Sequence, residues 1–160
     1  MAKSSGRRPL LPSVLDRLLD DEPGNQREAS KPREQVKREV KRSVCRDLEN
    51  LLNTRQRCGV LPEDLAELNV SLVNYGLPDF AGAAGAAQRE NLAVIIQRVI
   101  ERFESRFKSV NVTMIENTQE YDRTLRFRID AVMYAEPAPE PVTFDSQLEP
   151  TSAVFQVMTQ

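Results

Sequence analysis

Apolar positions recur with two different periods along this chain, and the change falls just after Phe103. Over residues 33–54, Val36, Val40, Val44, Leu48, Leu51 and Leu52 return at intervals of four and three, with Lys37, Arg38, Lys41, Arg42 and Glu49 around the other side. That spacing predicts an amphipathic helix. A second helix is predicted over 88–103, with Leu92, Ile95, Ile96, Val99, Ile100 and Phe103 as its buried stripe. Beyond it the period falls to two. Val110, Val112 and Met114 alternate with Asn111, Thr113 and Ile115, and Leu125, Phe127, Ile129, Ala131 and Met133 alternate with Arg126, Arg128 and Asp130. Both runs predict strands with one face on a core. The polar interval 116–123 suits a hairpin loop. Pro137, Pro139 and Pro141 break the chain before two shorter strands, 142–144 and 154–158. Helices first and strands later predict an α+β domain with a small antiparallel sheet.

The chain before residue 33 reads differently. Ser13 can cap a short helix over 14–20, with Asp16 three residues on as its capping-box partner. Val14, Leu15, Leu18 and Leu19 make one apolar stripe on about two turns, too little to hold a helix together alone in water. The stripe must dock, either on this protein's own core or on a partner. Residues 21–32 are a polar linker, so 1–32 form a flexible extension with a docking helix and 33–160 form a single domain. Between the two long helices, residues 62–68 carry the signals of another helical turn. Ser71 to Asp79 reads as a short helix or turn ending at Gly76, with Tyr75, Gly76, Pro78 and Asp79 as a structural turn. Residues 81–87 read as a small-residue loop.

Composition narrows the function. With 40% hydrophobic residues among 160 the chain can bury a core. Residues 1–46 carry 12 Lys/Arg against 7 Asp/Glu, a net +5, and the remainder carries 10 against 17, a net −7. The basic end is interleaved with Asp20, Asp21, Glu22, Glu34 and Glu39, unlike the one-sign stripe of a nucleic-acid arm. Leu10-Leu11-Pro12 is too short for a signal-peptide core, and no run approaches the ~20 apolar residues of a membrane span. With Cys45 and Cys58 read as reduced thiols, this points to a soluble cytoplasmic protein.

Histidine is absent, which removes Ser-His-Asp and Cys-His schemes and imidazole zinc sites. Two cysteines cannot make a four-thiolate cage, and Gly82 and Gly85 lack the Lys-Ser/Thr of a phosphate-binding loop. A carboxylate pair of glycosidase type is the remaining catalytic option, and no acid lies in a visibly apolar setting. The expectation is a non-enzymatic protein without metal or cofactor.

Four stretches then coincide in order: Leu15-Asp16-Arg17-Leu18-Leu19-Asp20-Asp21, Arg46-Asp47-Leu48-Glu49-Asn50-Leu51-Leu52-Asn53-Thr54-Arg55, Asn74-Tyr75-Gly76-Leu77-Pro78-Asp79 and Phe103-Glu104-Ser105-Arg106-Phe107. Over roughly residues 10–158 the chain resembles the TssE family, small baseplate subunits of bacterial type VI secretion systems. These are related to wedge proteins of contractile phage tails and traditionally labelled "lysozyme-related". The resemblance implies a fold similar to the interlocking domain of contractile sheath proteins. It also implies a cytoplasmic place in the baseplate at the inner-membrane face, without membrane insertion or nucleic acid. The partners implied are wedge subunits TssF and TssG and sheath subunits TssB/TssC, with a part in starting sheath assembly by strand exchange. The family signature is Glu-Pro-Arg between the second helix and first strand. Glu104 and Arg106 match it, and Ser105 replaces the proline, which loses an enforced helix stop and adds a donor N–H. Both charges are expected to project together towards a partner, with Leu15, Leu18 and Leu19 as the second contact. A solvated helix end with Phe103 and Phe107 as core anchors is the plain alternative. A cell-wall hydrolase and a generic adaptor are the competing functions.

Overall fold

A computed structural model describes residues 13–18, 32–56, 66–69, 71–78, 86–117, 122–135, 138–149 and 151–159. The elements are α1 (Val14–Leu18), α2 (Arg33–Asn53), α3 (Ala66–Asn69), a 3₁₀ turn (Leu72–Asn74) and α4 (Ala86–Phe103). Then come β1 (Phe107–Ile115), β2 (Leu125–Met133), β3 (Glu140–Glu149) and β4 (Val154–Thr159). The strands form one antiparallel sheet in the order β1-β2-β3-β4, so every neighbour in the sheet is also a neighbour along the chain. This is the α+β arrangement that the change of period predicts.

Register explains why one face of the sheet is buried. Val112, Ile129 and Phe144 stand in one row across β1, β2 and β3, and Phe127, Ser146 and Val157 in another across β2, β3 and β4. These rows pack against Val40, Val44, Leu48, Leu51 and Leu52 of α2 and Leu92, Ile96, Val99 and Ile100 of α4 in a single core. Full burial of side chains such as Phe144 or Leu48 is worth about 1.5–3 kcal/mol each. On the opposite face, polar pairs bridge neighbouring strands: Arg128 Nε to Asp145 at 3.3 Å, Thr143 to Asp130 at 2.8 Å and Gln147 to Gln156 at 2.8 Å. Arg126 and Arg128 are thus part of a solvated sheet surface.

Two strands differ from expectation, and α4 starts at Ala86, within the stretch expected to be a loop. β3 runs over ten residues, not three, and includes Pro141. Pro141 is tolerated because β4 pairs only with Phe144–Glu149, so the first part of β3 has a neighbour on the β2 side alone. β1 begins at Phe107 and absorbs Lys108 as a bulge before regular pairing resumes at Ser109. In the β1–β2 loop, Asn117 donates to the carbonyls of Asp122 (2.6 Å) and Thr124 (2.7 Å) and accepts from Arg126 (2.7 Å). No described helix is long and apolar enough to cross a membrane. Leu19, Cys58 and Asp79 lie outside the described residues.

Candidate functional site

The helix-to-strand junction is built by α4 ending and the chain turning at once. Glu104 N–H still donates to Ile100 (2.8 Å), and Phe107 N–H turns back onto the Glu104 carbonyl (3.3 Å). The tight turn brings Glu104 and Arg106 side by side. Glu104 Oε1 accepts from the Arg106 backbone N–H (3.0 Å) and Nε (2.7 Å), and Oε2 accepts from Nη2. Glu104 is only 8% exposed and is the one buried carboxylate among the described residues. The expectation that both charges project outward together is therefore corrected. They neutralise each other, because a buried carboxylate needs a cation and hydrogen-bond donors. Both Glu104 oxygens are thus committed to Arg106.

Arg106 reaches further, onto α2. Its Nη2 donates to Asp47 Oδ2 (2.7 Å) and its Nη1 to Ser43 Oγ (3.3 Å). Ser43 in turn donates to Asp16 Oδ2 of α1, and Arg46 Nη2 joins Asp16 Oδ1 (2.7 Å) to Asp47 Oδ1 (3.3 Å). Asp16, Arg46, Asp47, Arg106 and Ser43 thus close a ring of hydrogen bonds, with Glu104 buttressing it at Arg106. Burial works against charge on Arg106, but Glu104 and Asp47 outweigh it and hold the guanidinium above its ordinary pKa. Burial likewise opposes ionisation of Asp16, yet hydrogen bonds from Ser13, Ser43 and Arg46 hold its carboxyl well below the usual range.

The ring determines how α1 docks. Ser13 and Asp16 form a reciprocal cap, Asp16 N–H to Ser13 Oγ at 3.1 Å and Ser13 N–H to Asp16 Oδ2 at 3.0 Å. The helix then lies on α2 through the same carboxylate, leaving Leu15 53% and Leu18 75% exposed. Of the two docking routes open at the outset, α1 meets its own α2, and among the described side chains the contacts are polar, with Leu15 and Leu18 facing solvent.

The Tyr75 segment meets the same place from another side. Gly76 takes φ 103°, and a Cβ there would stand 2.3 Å from the Thr54 carbonyl oxygen, so only glycine fits. This close approach lets Leu77 N–H donate to Thr54 (2.8 Å) and Gln56 N–H to Leu77 (2.8 Å), stitching the segment to the end of α2. Tyr75 then meets Phe103 edge-to-face with ring centroids 5.3 Å apart. Burial pushes its phenol pKa up, and the Asp47 and Glu104 carboxylates add to that. Pro78 continues the segment half-buried.

The four stretches singled out in the sequence therefore gather around Glu104 and Arg106. Ser43 lies outside those stretches, and Asp47 was singled out only as part of one. Their signal was available, since both fall among Val40, Val44 and Leu48, where a polar residue needs an explanation. In comparison with known families, a family model described as baseplate wedge protein gp25 matches residues 38–138, from α2 past the end of β2. No curated protein and no solved structure matches.

Proposed function

From the premise that the chain belongs to the baseplate wedge protein gp25 family, we propose that it is the small baseplate subunit of a type VI secretion system. In this reading it joins wedge subunits TssF and TssG to the TssB/TssC sheath and helps start sheath assembly, on the cytoplasmic side of the inner membrane. The family is a structural one, and a baseplate role follows from membership alone. The finer assignment is supported by one observation: three of the four stretches meet in the ring that holds Glu104, Arg106 and α1, and the fourth packs beside it through Tyr75 on Phe103. The ring fixes the signature pair and presents Leu15 and Leu18 beside it. Exposed leucines beside a partly exposed arginine have the composition of a protein-binding patch. In this proposal Leu19 belongs to the same contact.

The test is co-purification from cells. Glu104→Ala with Arg106→Ala, and separately Leu15→Ser with Leu18→Ser, are expected to leave a folded protein that no longer brings down TssF and TssG or supports sheath assembly. Arg126→Ala with Arg128→Ala, on the solvated sheet face, serves as control and is expected to behave as wild type. Normal sheath assembly by both site variants would sink the proposal.

A further inference from the structure

Two arginines of the ring each hold a carboxylate, and they hold it differently. Arg106 grips Glu104 side-on, with Nε on one oxygen (2.7 Å) and Nη2 on the other. This two-point fork is the strong form of the pair. Arg46 meets Asp16 with Nη2 alone (2.7 Å), and the same nitrogen leans on Asp47 (3.3 Å). Arg46 Nε is buried and has no hydrogen-bond partner among the described residues. A buried donor without an acceptor is unfavourable, and in a folded protein it calls for an explanation.

Asp16 is also a lightly held occupant. Ser13 donates to it twice but travels with α1, so only Ser43 and Arg46 tie this carboxylate to α2. The helix spans five residues, too few to persist alone. Leu15 and Leu18 face solvent while it is docked, so its release uncovers neither. Upstream on α2, Arg42 and Arg38 precede Arg46 at steps of four, which sets three guanidinium groups in a row along one side of the helix. Arg38 and Arg42 are exposed and make no ion pair with a described carboxylate. Glu39, the acid between them in sequence, accepts from Gln35 (3.2 Å). Asp16 serves only the last arginine of the row.

We infer that this row is a binding site for an acidic helical segment of a partner protein, and that α1 is a placeholder which the segment displaces. One glutamate of the guest sits side-on at Arg46 and takes Nε as well as Nη2, as Glu104 does at Arg106. Glutamates one and two turns along the guest lie over Arg42 and Arg38. A glutamate has the reach that Asp16 lacks, since its carboxylate stands one methylene further from its own backbone. Ser43, released from Asp16, keeps its bond from Arg106. The inference rests on Arg46 and its row, and it stands without the secretion-system assignment.

Titration of the full chain, followed by amide and arginine Nε–H resonances, tests it. The probe is an alanine-rich synthetic helix with glutamate at every fourth position, and its control carries glutamine there. At neutral pH the glutamate peptide is expected to move the Arg46 Nε–H resonance. It should also carry the Leu15 and Leu18 amides to the positions they take in Asp16→Asn. In Asp16→Asn itself, where α1 no longer competes, the peptide should bind about tenfold tighter. Added to Asp16→Asn, Arg46→Lys keeps the charge but loses the fork, and should weaken binding about tenfold while melting within a few degrees of its parent. The inference is overturned by no shift at Arg46 Nε–H in both wild type and Asp16→Asn, or by equal binding of the glutamine control. Peptide binding that leaves Leu15 and Leu18 docked, no gain of affinity in Asp16→Asn, or full affinity after Arg46→Lys would each overturn it as well. Release of α1 by anionic phospholipid vesicles as readily as by peptide would do the same, by assigning the row to a membrane surface.

Discussion

Removing the Arg106 side chain tests whether charge holds the junction together. In the folded protein both Glu104 oxygens accept from Arg106, and the carboxylate is nearly out of water. Arg106→Ala leaves it with the backbone N–H of position 106 and no cation. Stranding one member of a buried ion pair costs about 3–5 kcal/mol. The Arg106 side chain is itself 23% exposed, so water enters the space it leaves and the expected loss is nearer 2–3 kcal/mol. Glu104→Ala is milder, about 1–2 kcal/mol, because Arg106 keeps Asp47 and Ser43 and can be hydrated. The double variant strands no buried charge, since Asp47 is 28% exposed and retains Arg46. It should cost about 2–3 kcal/mol, less than the sum of the single losses by about 1–2 kcal/mol. Urea unfolding of the four proteins, with unchanged dependence on denaturant, reads these values directly. Additive losses, or an Arg106→Ala loss below about 0.5 kcal/mol, would refute the reasoning. The same cycle shows whether the double variant is sound enough for the partner test.

Gly76→Ala forces a side chain onto the Thr54 carbonyl at positive φ, and should lower stability by at least about 3 kcal/mol, seen as a fall of ~6 °C or more in Tm. Ser146 is 3% exposed and its hydroxyl has no hydrogen-bond partner among the described residues, so Ser146→Ala should raise stability by about 1 kcal/mol in urea unfolding. Asp16 has a depressed folded pKa, so its contribution is complete above the ordinary carboxylate value of about 3.9 and is lost as pH falls below that. Leu15 and Leu18 amide resonances should stay in their docked positions from pH 7 to about 5, move together in more acid solution, and be undocked at neutral pH in Asp16→Asn.

Much of the scaffold was readable because period and burial agree. β2 alternates without interruption, and its bounds match those expected. β3 was cut short on paper for two physical reasons. Pro141 reads as a break until the neighbouring strand is known to stop before it, and Ser146 occupies an inward position that hides the alternation of Val142, Phe144 and Leu148. At the junction the residues were legible but their direction was not. Glu104 and Arg106 look like a pair aimed outward until the turn between them, and Asp47 and Ser43 from about sixty residues earlier, are in place. α1 misled in the opposite way. Its leucines draw the eye, but the contact that docks it belongs to Asp16, whose partners Ser43 and Arg46 no local pattern could supply.

Because the sheet follows chain order, its hairpins are local, and each strand can find its neighbour soon after it forms. The hydrogen bonds between the Asn53 carboxamide and both main-chain groups of Phe155 are different, since they join positions 102 residues apart. They are natural candidates for a late folding step, in which the first long helix closes over the last strand. A chain that had made its sheet but not this closure would show a free β4 edge and the apolar side of α2 together. In such a chain the same pair of bonds from Asn53 would cover both surfaces in one step.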